Sequence, residues 1–305
     1  MDEVSRTLYI PLYGKAHVSR NGIILSDPTA ETLWDQVQIR LTGKSRSRWL
    51  AYYLAMRAVV YDAWLRKQIS QTPDAVVLHI GCGLDSRIRR LGHPPIQWHD
   101  IDFPDVIRER RHWFRETETY TMTGTDMRIG EWKALIPGGQ PAIVVMEGVS
   151  MYFKPEEFVC LLTDLGTHFS EVRLLMDCYS TRAARLSRMG NPIRATGVNQ
   201  VWGMDDPETL AVKTGLVFVQ EHDMTPECCI RQLSFAEQMI FRQLYAGRLA
   251  RGLYRLYEFR SSQEPGQAVS PSQTPNAIAI IDREHRNVPV LQHVAYFCRN
   301  TTQTT

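Results

Sequence analysis

From residue 75 onward, short apolar runs alternate regularly with helical patterns, which leaves few folds open to this chain. The apolar runs predict strands at AVVLHI (75–80), IQWHDID (96–102), AIVVME (142–147), VRLLMDC (172–178) and LVFVQEHDM (216–224). The intervening segments RERRHWFRET, PEEFVCLLTDLGTHF and PETLAVKTG favour helices. Such alternation implies parallel strands joined by crossover helices. We therefore predict an α/β fold with a doubly wound, mostly parallel sheet.

The segments outside this alternation indicate how the chain is organised. Apolar residues recur at spacings of three and four from Trp49 to Ile69, which predicts an amphipathic helix in an N-terminal helical cap, residues 1–72. Residues 179–207 carry Gly, Pro and Asn without a clear strand. This pattern predicts an insertion after the fifth strand that covers the substrate-binding site. Residues 234–260 favour helices at the end of a core domain, 73–260. Residues 261–305 begin with linker composition and form an extension whose role the pattern leaves open.

Composition excludes several classes of protein. The chain has 305 residues, of which 44% are hydrophobic and 22% charged, as in ordinary globular proteins. Its formal net charge of +2 gives no reason to expect a polyanionic partner. No apolar run approaches the roughly 18 residues of a membrane span, and MDEVSRTLYI lacks the basic segment of a signal peptide. The six cysteines lack C-x-x-C spacing. We therefore expect a cytoplasmic protein with no metal site and no membrane partner.

The turn within VVLHIGCGLDSRIRRL (76–91) is a candidate ligand-binding element. Glycines at 81 and 83 after a buried strand allow a ligand to approach the backbone amides closely. The third glycine of a dinucleotide fingerprint is replaced by Ser86, and the adjacent Asp85 would repel a pyrophosphate. The turn therefore favours a ligand without phosphates that has a cationic end. S-adenosylmethionine has this character, because it carries an ammonium and a sulfonium.

Acidic residues stand at the ends of the predicted strands. Asp102 lies about twenty residues beyond the glycine turn, where a ribose diol is bound in this fold. Asp100 competes on the same strand face, but Phe103-Pro104 marks the end of the strand and favours Asp102. Thr125-Asp126-Met127 falls in a loop where an adenine amino group can be recognised, and Glu147 ends the run AIVVM. A single acid of this kind is more often a solvated turn or a helix cap. Several acidic residues at the strand ends where this fold binds its ligands favour a cofactor site.

The segments VVLHIGCGLDSRIRRL, WHDIDFPDVIRER and VVMEGVSMYF, in this order and spacing, closely resemble the leucine carboxyl methyltransferase family, particularly its tetracenomycin-type polyketide O-methyltransferase branch. TLYIPLYGKAHVSRNGIILSDPTA and WLAYYLAMRAVVYDAWL resemble the N-terminal cap of that branch. The resemblance covers residues 7–225. It implies a Rossmann-like class I methyltransferase fold with S-adenosyl-L-methionine as the cofactor.

The resemblance also implies roles for individual residues. It places Lys15 and Arg57 near the methionine carboxylate, Gly81 and Gly83 in the turn, Asp102 on the ribose, Asp126 and Met127 around adenine, and Glu147 near the ammonium. Cations suit a carboxylate, and arginine offers a bidentate fork. The alternative for Arg57 is an arginine on a helix surface. His79 departs from the small or amide residue common before this turn, and we interpret it as a packing residue. Cys82 is interpreted as a small spacer.

The residues also bear on the methyl acceptor. In-line transfer from a sulfonium requires that the acceptor oxygen be placed near the methyl group and that water be excluded. A phenol or alcohol acceptor needs a base, whereas a carboxylate does not, and no histidine stands out as a base. This favours the carboxylate of a small aromatic or polyketide-like metabolite. We predict that Tyr152 and Arg182 position the acceptor and that Tyr179 and Trp202 stack on it; surface or packing roles are the alternative.

Other functions stay open at this point. The chain can be a phenol or hydroxyl O-methyltransferase, or a protein that binds S-adenosylmethionine without transferring its methyl group. The stretch RQLYAGRLARGLYRLYEFR (242–260) is basic and aromatic, which suggests nucleic-acid binding as an alternative. Helix packing with extended arginine stems explains it better. We expect a small-molecule substrate and no nucleic-acid partner, and the sequence leaves the oligomeric state undefined.

Overall fold

The computed structural model describes residues 4–37, 39–187 and 201–262. Its strands are β1 (Val76–Ile80), β2 (Gln97–Asp102), β3 (Tyr120–Gly124), β4 (Pro141–Met146), β5 (Glu171–Tyr179), β6 (Leu216–His222) and β7 (Tyr254–Ser261). The longer helices are α1 (Val4–Arg20), α2 (Pro28–Gln36), α3 (Arg48–Gln71), α5 (Pro104–Arg110), α7 (Pro155–His168), α8 (Thr181–Ser187), α9 (Pro207–Thr214) and α11 (Phe235–Leu244). Single-turn helices are α4 (Arg87–Arg90), α6 (Trp132–Leu135), α10 (Glu227–Ile230) and α12 (Arg248–Arg251), with 3-10 turns at Gly43–Arg46 and Ser150–Tyr152.

The strands form one sheet in the order β3-β2-β1-β4-β5-β7-β6. Strands β1 to β5 are parallel, and β7 runs antiparallel to both β5 and β6. The strand order reverses between β1 and β4, and in open α/β sheets the crevice at the carboxyl ends of such strands binds ligands. The predicted doubly wound, mostly parallel α/β fold with an N-terminal helical cap is confirmed.

Alternate residues of the central strands pack into two hydrophobic cores, one on each face of the sheet. Leu78 of β1 packs in the same cluster as Leu162 of α7, whereas Val77 packs with Leu65 of α3. All five residues of β1 are buried. Burial on both faces explains why β1 and β4 read as continuous apolar runs and not as alternating ones.

Two strands were missed by the sequence patterns. β3 lies in a threonine-rich segment at the sheet edge, where Tyr120 and Met122 are buried but their polar neighbours hide the apolar signal. The prediction of helix as far as residue 260 was wrong, because β7 occupies Tyr254–Ser261. Tyr257 and Phe259 are buried on one face of the sheet and Leu256 on the other, and this alternation is the period of two of a strand.

The N-terminal cap consists of α1, α2 and α3. Asp27 caps α2, because its Oδ1 accepts a hydrogen bond of 2.9 Å from the Ala30 amide. α1 and α3 approach closely at Gly14, where a Cβ would lie 3.3 Å from the Cα of Ala51. In the described part of the chain, no helix combines the length and apolar character needed to cross a membrane. Residues 188–200 of the predicted insertion and 263–305 of the predicted extension lie outside the described residues.

Candidate active site

A cavity of about 650 Å³ opens at the carboxyl ends of β1, β2 and β4, and side chains of α1 and α3 line its other side. Of the predicted site residues, it is lined by Lys15, Arg57, Gly81, Gly83, Asp102, Asp126, Met127, Glu147, Tyr152 and Tyr179. The other two predicted site residues, Arg182 and Trp202, do not line this cavity. Trp202 lines a separate cavity of about 150 Å³ beside Met176, and Arg182 is exposed on α8. The fold therefore brings together the residues predicted to bind the cofactor and the two tyrosines, but not the whole predicted acceptor set.

The glycine turn after β1 depends on backbone conformations that other residues rarely adopt. Gly81 and Gly83 have φ angles of 68° and 49°. A Cβ at Gly81 would collide with the side chain of Val149, and one at Gly83 would lie 3.1 Å from Leu8. The amide of Gly83 donates a 2.8 Å hydrogen bond to Oδ2 of Asp102. The turn is thus held open toward the cavity and tied to the end of β2.

The two acids of β2 have different environments. Asp100 is fully buried and pairs with Arg110 at 2.5 Å, which lowers the pKa of that carboxyl against the effect of burial. Asp102 faces the cavity, and burial raises its pKa to about 6 although the Gly83 and Phe103 amides donate to it. Of the two candidates, Asp102 is therefore the one that can reach a ligand.

Glu147, at the end of β4, is surrounded by cations. Nη2 of Arg57 lies 3.0 Å from its Oε1, Nη2 of Arg87 contacts Oε2, and Nζ of Lys15 lies 3.8 Å away. Burial alone would raise the pKa of Glu147, but these three cations hold it well below its usual range. The carboxylate is ionised and held in a fixed direction.

Asp85 lines the cavity as an ion-paired carboxylate. Lys15 of α1 lies 2.9 Å from it, and Arg90 and Arg87 lie at 2.5 and 3.3 Å. These cations hold the pKa of Asp85 well below its usual range, against the effect of burial. The expectation that its charge repels a phosphate needs correction, because the neighbouring cations compensate that charge. The link between Lys15 and Asp85 also joins the cap to the glycine turn.

Arg57 stands where the charged part of the cavity meets its aromatic part. Its Nη1 donates to Asp177 at 2.8 Å and to the hydroxyl of Tyr254 at 2.6 Å, while Nη2 donates to Glu147. Its Nε is buried and has no hydrogen-bond partner. An unpaired buried donor of this kind costs about 1–3 kcal/mol. The Arg57 side chain lines the cavity and brings a positive charge to it. The side chain is therefore compatible with the predicted methionine carboxylate.

Sequence reasoning did not select Asp177 and Tyr254. Asp177 lies near the end of β5, and the rule that selected Asp102 and Glu147 at strand ends would also have found it. Tyr254 begins β7, whose strand pattern was not recognised. The contact between Tyr254 and Arg57 spans 197 residues, so no local signal indicates it.

The far end of the cavity is apolar with one ion pair. Met127, Val106 and Phe103 line it, and the first two are buried. Asp126 binds Arg128 at 2.5 Å, and this hydrogen bonding lowers the pKa of the carboxyl. Flat apolar walls with a carboxylate at the edge fit a heteroaromatic base that carries an amino group.

Three features define a protein of the class I methyltransferase fold. They are the sheet order, the glycine turn after β1 and the cavity-facing acid at the end of β2. The chain belongs to the leucine carboxyl methyltransferase family, whose family model matches residues 14–166. It is an S-adenosylmethionine-dependent methyltransferase.

Known proteins that are similar to this chain include two curated relatives and a solved structure. The tetracenomycin polyketide synthesis O-methyltransferase TcmP of Streptomyces glaucescens is 31% identical over 229 residues, which are 72% of this chain and 83% of that protein. The S-adenosyl-L-methionine-dependent methyltransferase dpfgK of Gibberella zeae is 29% identical over 55% of this chain and 61% of its own length. Magnesium protoporphyrin IX methyltransferase (ChlM) from Synechocystis PCC 6803 aligns at a TM-score of 0.47 and 12% identity, over 77% of this chain and 94% of that chain.

Proposed function

We propose that this enzyme methylates the carboxylate of a small planar aromatic or polyketide-like metabolite. The observation that carries the proposal is that no histidine among the described lining residues is free to act as a base, while the carboxylates there are ion-paired or, for Asp102, proposed to hold the ribose. Among the described residues that line it, His79 is the only histidine, and both its ring nitrogens are engaged, by Asp100 and Arg87. A phenol or alcohol must lose a proton during methylation, whereas a carboxylate is already ionised at neutral pH.

The tyrosines of the cavity do not replace the missing base. Burial raises the pKa of Tyr152, Tyr179 and Tyr254, so these phenols stay protonated at neutral pH. A protonated phenol can donate a hydrogen bond to an acceptor oxygen but cannot accept its proton. This chemistry supports a carboxylate acceptor over a phenol or alcohol.

The same tyrosines support a flat acceptor. The rings of Tyr179 and Tyr254 lie 4.9 Å apart between centroids, and Leu50 and Leu54 of α3 line the cavity with them. Tyr152 lines the same part, where it positions the acceptor. Apolar and aromatic walls exclude water and hold a ring in one plane, which favours in-line transfer. Arg182 and Trp202 have no part in this arrangement, because neither lines the cavity.

The cofactor-binding residues are proposed with the roles that the family pattern implies. Lys15 and Arg57 hold the methionine carboxylate, Glu147 the ammonium, Asp102 the ribose, and Asp126 with Met127 the adenine, while Gly81 and Gly83 leave space for the ligand. S-adenosylmethionine supplies the electrophilic methyl group. The chain's own contribution is to fix these groups and to exclude water from the acceptor oxygen.

A small-molecule acceptor also agrees with the relative that acts in tetracenomycin polyketide synthesis. The basic stretch 242–260 gives little support to a nucleic-acid partner. It is divided among α11, α12 and β7, and its Arg242 and Arg251 pair with Glu227 at 2.7 Å and Asp223 at 3.0 Å.

The test is methyl transfer from labelled S-adenosylmethionine to matched acids and phenols, such as 2-naphthoic acid and 2-naphthol, extended to larger ring systems. Label in a base-labile ester supports the proposal. Label confined to base-stable ethers would instead establish a hydroxyl methyltransferase. Tight binding of S-adenosylhomocysteine with no transfer to any acid or phenol would favour a protein that binds the cofactor without transferring methyl.

A further inference from the structure

The imidazole of His79 connects two buried ionic groups behind the glycine turn. The residue lies in β1, is 1% exposed and borders the cavity. Its Nδ1 lies 2.9 Å from Oδ1 of Asp100, and its Nε2 lies 3.0 Å from Nη1 of Arg87. The interpretation of His79 as a packing residue is therefore incomplete, because both ring nitrogens have directed polar partners.

Asp100 can only accept a hydrogen bond from this ring. Nη2 of Arg110 lies 2.5 Å from its Oδ2, and the hydroxyl of Tyr120 donates to the same oxygen. The indole of Trp98 donates to Oδ1 at 2.9 Å. This environment lowers the pKa of Asp100, so the carboxyl is ionised and has no proton to give.

Arg87, on the other side of the ring, can only donate. A ring between an acceptor and a donor must carry its proton on Nδ1 and keep a lone pair on Nε2. A second proton on Nε2 would face the guanidinium of Arg87. Burial and the charge of Arg87 lower the pKa of His79 accordingly, although Asp100 opposes them. The structure thus defines the tautomer of this histidine.

The orientation of Arg87 depends on partners in three directions. Its side chain is fully buried, and Nε donates to Oδ1 of Asp62 on α3 at 2.9 Å. Nη2 contacts Glu147 and lies 3.3 Å from Asp85. Nη1 donates to His79, the neutral partner among them. Without that acceptor, Nη1 would be a buried donor free to turn toward the carboxylates of the cavity.

We infer that His79 is a positioning residue of the cofactor site, whose Nε2 lone pair fixes Arg87 and, through it, the direction of the Glu147 carboxylate. Loss of this acceptor therefore weakens cofactor binding even when the ring's contact with Asp100 is replaced. The inference concerns the cofactor site and does not depend on which acceptor is methylated.

Two amide substitutions separate the functions of the two ring nitrogens. In His79→Gln the amide oxygen can reach the position of Nε2 and accept from Arg87. In His79→Asn the shorter amide can only take the place of Nδ1 and donate to Asp100. Both variants are uncharged and bury a polar amide, so each is the other's control for stability, which urea unfolding measures alongside.

The readout is the Kd for S-adenosylhomocysteine by calorimetry, on the full chain. We expect His79→Gln to stay within about 3-fold of the wild type and His79→Asn to lose about 10- to 100-fold, the value of a hydrogen bond to a charged group. Equal losses in both variants, or no loss in either, would overturn the inference.

Nitrogen NMR of the wild-type protein labelled at histidine tests the same inference without a substitution, in case either variant does not fold. At pH 7 the expected spectrum has a protonated Nδ1 and an unprotonated Nε2 for His79. A proton on Nε2, or a charged imidazolium, would show that the ring does not accept from Arg87 and would overturn the proposal.

Discussion

Nη2 of Arg57 lies 3.0 Å from Oε1 of Glu147, so a buried ion pair joins the middle of α3 to the end of β4. The two side chains are 4% and 5% exposed. Breaking a buried pair of this kind leaves an uncompensated charge and costs about 3–5 kcal/mol. The N-terminal cap therefore lines the cavity that we propose as the cofactor site, as well as covering the sheet.

Replacing Arg57 by lysine keeps the charge but removes the fork that contacts Glu147, Asp177 and Tyr254 together. We expect the Kd for S-adenosylhomocysteine to rise by about tenfold or more, measured by calorimetry. Arg242→Lys is the control, since Arg242 pairs with Glu227 at the surface. Equal affinities for Arg57→Lys and the wild type would contradict the role of Arg57.

The pKa of Asp102, raised to about 6, predicts a pH dependence of cofactor binding. In the proposed role the ionised carboxylate accepts the ribose hydroxyls, so we expect the affinity to fall as the pH drops through 6 and the carboxyl becomes protonated. We expect a loss of about tenfold between pH 7 and pH 5, measured as the Kd for S-adenosylhomocysteine. Asp102→Asn should bind weakly with no such pH dependence. Asp105→Asn, at an exposed site on α5, should follow the wild-type profile.

Tyr254→Phe tests the aromatic part of the cavity. The substitution keeps the ring beside Tyr179 but removes the hydroxyl that lies 2.6 Å from Arg57. We expect the KM for the best aromatic acid to rise about 3- to 10-fold. The Kd for S-adenosylhomocysteine should change less, because Glu147 and Asp177 still hold Arg57.

The matched control for Tyr254→Phe lies on the same strand. Tyr257 belongs to the core cluster on the opposite face of the sheet, and its hydroxyl accepts from Arg255 at 3.2 Å. Tyr257→Phe therefore removes a comparable hydrogen bond without touching the cavity. A similar increase in KM for both variants would show that the effect of Tyr254→Phe is structural.

Gly81→Ala should destabilise the protein more than the same change at another glycine with positive φ. Alanine in this conformation costs about 1–2 kcal/mol, and at Gly81 its Cβ would also collide with Val149. Gly215→Ala is the control, since φ is 71° there and nothing lies within 4 Å of the new Cβ. We expect the free energy of unfolding, from urea denaturation, to fall by about 1–3 kcal/mol more for Gly81→Ala. Equal losses would mean that Val149 moves aside without strain.

The sequence patterns located the central strands within about two residues, because buried parallel strands are continuous apolar runs with clear ends. They missed β3, since threonine fills much of that edge strand. They read β7 as helix, since basic residues interrupt its apolar ones and its partners β5 and β6 are distant in sequence. Edge and antiparallel strands depend more on their neighbours than on their own composition.

The doubly wound fold, the glycine turn and the acids that border the cavity could be predicted from sequence patterns alone, because each follows from a local pattern of a few residues. The compensation of the buried charges became visible only in the folded chain, where Lys15 pairs with Asp85 and His79 lies between Asp100 and Arg87. The tertiary structure also placed Tyr254 against Arg57 and left Arg182 and Trp202 outside the cavity. Electrostatic pairing acts over a few ångströms between residues up to 197 positions apart, so it follows from the packing of the sheet and the cap and not from any local pattern.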